Sequence, residues 1–521
     1  MGAPSGYREV STMKSAPANG GPTQSVGGAQ PGAERLLNYE AVIGVECHVE
    51  LKTNSKMFCG CKNEFGGEPN TKVCPVCLGL PGALPVANEK AIELIVSAGL
   101  AFDAEIPRFS KFDRKNYFYP DMPKDYQISQ YDMPLTKGGV VSFWLDDGSR
   151  HTCRLTRIHL EEDTGKSLHA GSGDGRLAGS SHSLVDFNRA GVPLMECVSE
   201  PDLRSAEEAV GFLEALKRTF VQLGISDVKM EEGSLRCDAN VSIRLRGAPE
   251  YGTKAEIKNM NSFRSVRRAI ESEIARQIEV VESGGRVIQE TRGWDEAAGV
   301  THSQRSKEQA HDYRYFPDPD LVPLDVTADV VDRVRAALPP TPYERYVRYV
   351  DEYGLDTKRA TQLVDDHELS AWFDRAVSAA SGNAKAVVAF VLGDLSRLAN
   401  ESGTHVAYGK VTPETLAELV ALTASNAINS KAAKQVLETL WSEGGSAKSI
   451  VEREGLGQVS DRGAVEAIVA EVLAANPDAV TSYKAGKTNV LGFLTGAVMK
   501  QSRGKANPAL AQELLKEKLG S

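Results

Sequence analysis

Few patterns restrict a fold as tightly as strict alternation, and residues 43–51, "IGVECHVEL", alternate throughout. Side chains two apart on a strand share a face. Val45, Cys47, Val49 and Leu51 therefore line one side, and Glu46, His48 and Glu50 the other. Residues 235–246, "LRCDANVSIRLR", repeat the habit: Arg236, Asp238, Asn240 and Ser242 oppose Leu235, Cys237, Ala239 and Val241. Lys254, Glu256 and Lys258 face away from Ala255 and Ile257, and Arg157, His159 and Glu161 face away from Ile158 and Leu160. Such alternation predicts a mostly antiparallel sheet, packed on one face and wet on the other. Two readings of the wet face stay open: a plain solvated surface, or a concave active surface crowded with groups that hold protons and metals.

The 521 residues are too many for one core. Strand-like segments with Gly and Pro punctuation run from Tyr39 to about Leu324. After "LPPTP" (338–342) the periodicity turns helical, and a weaker break falls at "EGGSAKS" (443–449). The predicted fold class is α+β: a disordered tail over 1–37, a mostly antiparallel-sheet catalytic cradle over 38–338, a helical domain over 339–445 and a small helical tail domain over 446–521. Residues 1–36 are rich in Gly, Pro, Ser and Ala and contain no apolar segment of signal-peptide type. Asn507 and Pro508 suit the N-cap and first position of a last helix.

"KFDRKNYFYPDMPKDYQISQYDMP" (111–134) is too proline-rich and polar for a regular element. It mixes Lys111, Arg114, Lys115 and Lys124 with Tyr117, Phe118, Tyr119 and Tyr126. Cations beside stacking aromatics suit a nucleotide or a splayed RNA end, although aromatic loops also pin domains together.

A formal net charge of −10 argues against an overall electrostatic grip on nucleic acid. Residues 483–505 are a local exception, carrying Lys484, Lys487, Lys500, Arg503 and Lys505 without an acidic residue; they fit RNA phosphate contacts or a solvated helix face. No apolar run approaches the roughly 18–20 residues that span a bilayer. A cytoplasmic protein with no membrane partner is expected.

All eight cysteines lie between Cys47 and Cys237, and four form Cys59-Gly-Cys61 and Cys74-Pro-Val-Cys77. Two close thiol pairs supply the ligand count of a closed, structural zinc site. Carboxylates and imidazoles cluster as well: Glu46, His48 and Glu50; His159, Glu161, Glu162 and Asp163; Glu196 and Glu200; Glu231, Glu232 and Asp238. Carboxylates with an imidazole suit Mg2+. "TGKS" (164–167) and "AGKT" (485–488) imitate a phosphate loop, but Leu160 and Thr481 stand where its first glycine must be. Any ATP would bind without a Walker fold.

From about Tyr39 to the C-terminus the chain resembles the B-type subunits of the bacterial aspartyl/glutamyl-tRNA amidotransferases. The resemblance rests on "IGVECHVELKTNSKMFC", "VCPVCLGLPGALPV", "KFDRKNYFYPD", "YQISQ", "HLEEDTGKS", "DFNRAGVPLMECVSEPD", "DVKMEEGSLRCDANVS", "TKAEIKNMNSF" and "DYRYFPDPDLVPL", in order. It implies an ATP-dependent carbon–nitrogen ligase with glutamine as amido donor. Such an enzyme phosphorylates the side-chain carboxylate of Glu-tRNA(Gln) or Asp-tRNA(Asn) and replaces the phosphate with ammonia. The implied partners are an A-type glutaminase subunit, a small C-type subunit, and the misacylated tRNA; no amidase nucleophile constellation is found in this chain. By the same resemblance Glu46, His48, Glu162 and Glu196 would bind Mg2+, with Glu161 as the alternative to Glu162 because strand phase favours it. Lys115 would face the phosphate, with Arg189 and Lys254 as further nucleotide-binding candidates, and Cys59, Cys61, Cys74 and Cys77 match the zinc-bearing members. Two rivals remain: a platform that only holds tRNA, and a free-standing metallohydrolase using the same carboxylates.

Overall fold

The structure, a computed structural model, describes residues 38–170, 180–305, 313–458, 461–502 and 505–520. The expected tail over 1–37 and the basic residue Arg503 lie outside the described residues.

The alternating segments become a single eight-stranded sheet. Its spatial order is Val300–Arg305, Thr291–Asp295, Ala255–Lys258, Leu235–Leu245, Tyr39–Glu50, Pro193–Ser199, Arg150–Glu162, Val140–Trp144. Neighbours run antiparallel except Ala255–Lys258 beside Thr291–Asp295, which are parallel. The register places like with like. Cys47 stands opposite Cys237 on one side and Cys197 on the other, and Val49 opposite Leu235 and Met195. The side-chain period is two, so one register slip would send every apolar side chain to water.

Helices Glu89–Ala101, Ala206–Gln222 and Phe263–Glu282 cover the apolar face. The middle one shows why: Ala209, Phe212, Leu213, Leu216 and Phe220, spaced at three and four, are all buried and form one stripe. Burying each Phe contributes about 1.5–3 kcal/mol. Ser205 starts this helix, its hydroxyl accepting from the Glu208 amide at 3.1 Å. Ser205→Ala should cost about 1 kcal/mol, seen as a roughly fivefold faster exchange of the amides in the first turn by hydrogen-exchange mass spectrometry.

Segment 111–134 departs from the expected irregular loop. Asp113–Asn116 and Tyr126–Ser129 are short antiparallel strands, and Phe316–Pro317 adds a third. The prolines Pro120 and Pro123 fall in the turn between them, where no ladder amide is needed.

A second core begins after the proline cluster. Thr341 and Glu344 form a capping box with Pro342 at the first helical position, a strong helix start. Trp144, on the edge strand, stacks on Tyr346 at 4.0 Å, and Arg150 holds Asp351 through two hydrogen bonds at 2.9 and 2.6 Å. Ala447, Ile450 and Val451 join this core. The packing thus changes hands beyond the 445/446 boundary read from the sequence, because the glycines at 444 and 445 only turn the chain back onto its own helices. A third core gathers Val465, Val469, Leu494, Val498, Leu514 and Leu515. Its last helix, Pro508–Leu519, starts at Asn507, whose side chain accepts from the amides of Ala509 and Leu510. Among the described residues no helix is long and apolar enough to cross a membrane.

Candidate active site on the polar face of the sheet

The face opposite the helices carries the charged residues in register. His48 is opposite Glu196, which is opposite His159 on the next strand. His48 Nε2 and His159 Nε2 lie 3.6 and 3.4 Å from Glu196 Oε2, and His159 Nε2 lies 3.4 Å from Glu161 Oε1. Ligand atoms of His48, Glu161 and Glu196 all fall within 4.8 Å of one another. Glu161 is oriented from behind: Ser129 Oγ donates to Oε1 at 2.6 Å and Gln127 Nε2 to Oε2 at 3.0 Å. Fixed carboxylates beside an imidazole are a fitting donor set for a divalent cation.

The electrostatics favour charged groups here. Burial works against ionisation of Glu196, yet His159, His48 and Lys115 hold its carboxyl well below the usual range. Burial also opposes the charge on His48, but the hydrogen bond and field of Glu196 raise its pKa to about 8. Lys115 is likewise buried, and the fields of Glu161 and Glu196 outweigh that penalty and raise its pKa. Its amine stands 5.2 Å from the centre of the Tyr313 ring. Tyr131 and Tyr315 stack at 4.4 Å in the same wall, and Phe118 and Tyr119 are exposed beside it.

The other expected site residues separate. Glu46 leaves the His48 group and joins Asp238 and Glu256. Glu162, adjacent to Glu161, points to the opposite side of the strand, as alternation requires. It is buried there, accepting from the Ile128 amide at 2.9 Å and pairing with Lys124. Arg189 donates to the carbonyls of Thr164 and Gly165 at 3.0 and 2.9 Å and lies 3.6 Å from Asp163. Lys254 lines a cavity with Glu46 and Asn240. The sequence pattern counted His159 among the clustered donors and left Gln127 and Ser129 without roles. Period two already put His159 with Glu161, whereas nothing local joined Gln127 and Ser129 to them.

The four clustered thiols converge. Their sulfurs lie within 4.8 Å of one another, Cys74 and Cys77 at 3.8 Å, and the Cys74 amide donates to Cys77 Sγ at 3.1 Å. A tetrahedral Zn–S bond of about 2.3 Å implies sulfurs about 3.8 Å apart, so the donor set fits zinc. A hydrogen bond from Cys59 brings the Cys77 thiol down to about 5 against the effect of burial, with Lys56 adding to the fall. Lys56 is buried and donates to the carbonyls of Lys72 and Ala190 at 2.8 and 2.7 Å, tying the knuckle to the turn before Pro193–Ser199.

A family model described as the GatB/GatE catalytic domain matches residues 41–332, the whole span that builds this face. The chain belongs to that family. A second model, the GatB domain, matches residues 371–519. The GatB-type chain is 52% identical over 484 residues to the B subunit of the aspartyl/glutamyl-tRNA(Asn/Gln) amidotransferase of Carboxydothermus hydrogenoformans, covering 93% of this chain and 99% of that protein. It is 53% identical over 483 residues to the B subunit of the same name from Moorella thermoacetica, covering 93% of this chain and all of that protein. Its place among the B subunits of aspartyl/glutamyl-tRNA(Asn/Gln) amidotransferases accords with the α+β cradle and helical C-terminal part described above.

Proposed function

We propose that this chain is the kinase and transamidase component of a tRNA-dependent amidotransferase, acting in the cytoplasm with an A-type glutaminase subunit, which supplies ammonia, together with a small C-type subunit. The substrate is Glu-tRNA(Gln) or Asp-tRNA(Asn), ATP is the phosphoryl donor, and ammonia released from glutamine by the partner is the nucleophile. The observation that carries the reading is the gathering of His48, Glu161 and Glu196 on one face of the large sheet, with the Lys115 amine, from the separate strand Asp113–Asn116, held in the field of Glu161 and Glu196.

A carboxylate is a poor electrophile because its negative charge repels nucleophiles and oxide is a poor leaving group. Phosphorylation of the side-chain oxygen makes it displaceable, and the charge that spreads over the transferring phosphoryl must be neutralised in place. Mg2+ held by His48, Glu161 and Glu196 would supply that neutralisation. Lys115, kept charged by its neighbours, faces the phosphate oxygens, while Tyr313, Tyr315, Phe118 and Tyr119 offer ring faces to the unpaired 3′ end of the tRNA. Ammonia then attacks the acyl carbon, phosphate departs, and the excess proton on nitrogen passes to a nearby base such as a carboxylate of this face. Arg189 shapes the 163–165 turn, and Glu162 with Lys124 anchors the strand end without touching substrate. The 38–338 part is the catalytic cradle and the helical parts hold the body of the tRNA; Lys484, Lys487, Lys500 and Lys505 are all exposed for phosphate contact. The zinc is structural.

Reconstituted with its two partners, the chain should convert Glu-tRNA(Gln) or Asp-tRNA(Asn) to the amide only when glutamine, Mg2+ and ATP are all present, releasing one labelled phosphate per amide. Binding of tRNA with no ATP-dependent phosphate release would reduce the chain to a tRNA platform. Ser129→Ala, which removes the 2.6 Å hydrogen bond orienting Glu161, should lower the apparent Mg2+ affinity about tenfold, read as a rise in the Mg2+ concentration for half-maximal turnover.

A further inference from the structure

On the side away from the candidate active site, the helices do not cover the sheet to its end. Beside the start of the strand Tyr39–Glu50, the beginning of helix Ala206–Gln222 and the flank of helix Phe263–Glu282 leave a groove of about 450 Å3. Its apolar lining is Ala41, Ile243, Ile274, Ala275 and Ile278, with Tyr39 beside them. The apolar surface continues past the groove. Leu245, opposite Tyr39 in the ladder, is 61% exposed, and Val281 is 39% exposed. Single exposed apolar side chains are ordinary. These two instead extend a buried series, since Leu245 follows Ile243 by two on a strand and Val281 follows Ile278 by three on a helix.

The chain itself brings a cover to this place. Residues 1–37 precede the described residues and lie outside the family model, which begins at residue 41. Their only pair of adjacent large apolar residues is Leu36-Leu37, at the end that joins the sheet. The Arg246 amide donates to the Asn38 carbonyl at 3.0 Å, so the ladder still holds the chain at residue 38. Continued by period two, Leu37 would follow Tyr39 and Ala41 onto the helix-facing side, and two residues of extended chain reach about 7 Å. The rim carries both signs, Arg204 and Arg246 with Glu207 and Glu271, and the preceding Glu34-Arg35 brings one of each. A separate protein must bury about 800 Å2 on each side to hold, more than this groove alone presents, whereas a tethered segment acts at an effective concentration in the millimolar range.

We propose that Leu36 and Leu37 pack into this groove and close the open end of the core between the sheet and its helices. The groove is then an internal docking site for the chain's own N-terminal stretch, and the occupant is the segment Glu34–Leu37. Its leucines cover Ile243, Ile274 and Ile278 and shield the exposed side of Leu245, which makes this end of the stretch a structural part of the cradle.

The test is photo-crosslinking of the full chain with p-benzoylphenylalanine placed at Leu37, followed by digestion and mass spectrometry. The probe should mark Ile274, Ala275 or Ile278 of the same chain, and the same probe at Val26 should mark them far less often, by about tenfold or more. Marks scattered over other surfaces, or equal marking from Val26, would overturn the proposal. So would marks on a second chain, which would assign the groove to a contact between copies. A second measurement uses ordinary side chains, in residues outside the family model. Leu36→Asp combined with Leu37→Asp should lower the melting temperature by about 2–4 °C and speed hydrogen exchange of peptides from residues 270–282 about fivefold. Unchanged melting and exchange in that variant would overturn the proposal as well. Protection of 270–282 that arises only when an A-type or C-type subunit is added would do the same, by giving the groove to that subunit.

Discussion

His48→Ala is expected to lower ATP-dependent phosphate release by roughly 10²- to 10³-fold, the range for losing one fixed group that stabilises transition-state charge, while tRNA affinity stays within about twofold of wild type. The imidazole is one of three ligand groups within 4.8 Å, and its removal also takes away the partner that helps keep Glu196 ionised. Under the proposed function a tRNA would be held over a wide surface, to which one imidazole in a sheet face adds little. Rapid-quench measurement of phosphate release beside a filter-binding curve for Glu-tRNA(Gln) gives both quantities. A variant that turns over normally would reduce Glu46, His48 and Glu50 to a wet sheet face and move the kinase site elsewhere.

The second large effect is on stability. Cys77→Ser should release the zinc and destabilise the cradle by several kcal/mol, on the order of 5, lowering the melting temperature by about 10 °C or more. Activity per folded molecule should fall much less. The cysteine cluster supports the strand end. Gly79 sits against the Lys124 stem so closely that a Cβ there would meet Lys124 Cγ at 2.3 Å; Lys124 in turn pairs with Glu162. Calorimetry, zinc content and turnover normalised to the native fraction together check this. Full thermal stability with lost phosphate transfer would make the zinc a participant in the chemistry.

Alternation made much of the site legible in advance. Period two placed Glu46, His48 and Glu50 on one face and Glu161 with His159 on another strand's equivalent face, and it favoured Glu161 over Glu162. The paired thiol spacings likewise announced a four-sulfur cluster, because ligands close in sequence stay close in space. What was not legible is which strand lies beside which. Glu46 and His48 share a face on one strand, yet they serve different clusters, because the partners of Glu46 come from 238 and 256 and those of His48 from 161 and 196. Tyr313 and Tyr315 reach Lys115 across nearly two hundred residues of chain, and no local pattern links them.

The amino-acid order therefore settled the period of each strand, the start of the last helix at Asn507 and the gathering of the four clustered thiols, since these depend on side-chain direction over a few residues. Strand neighbours, ladder register and the sorting of carboxylates into two clusters required the folded chain. Those follow from long-range pairing, in which the free energy of burying Cys47 against Cys197 and Cys237 selects one arrangement of distant segments and carries the polar residues on the reverse face into place.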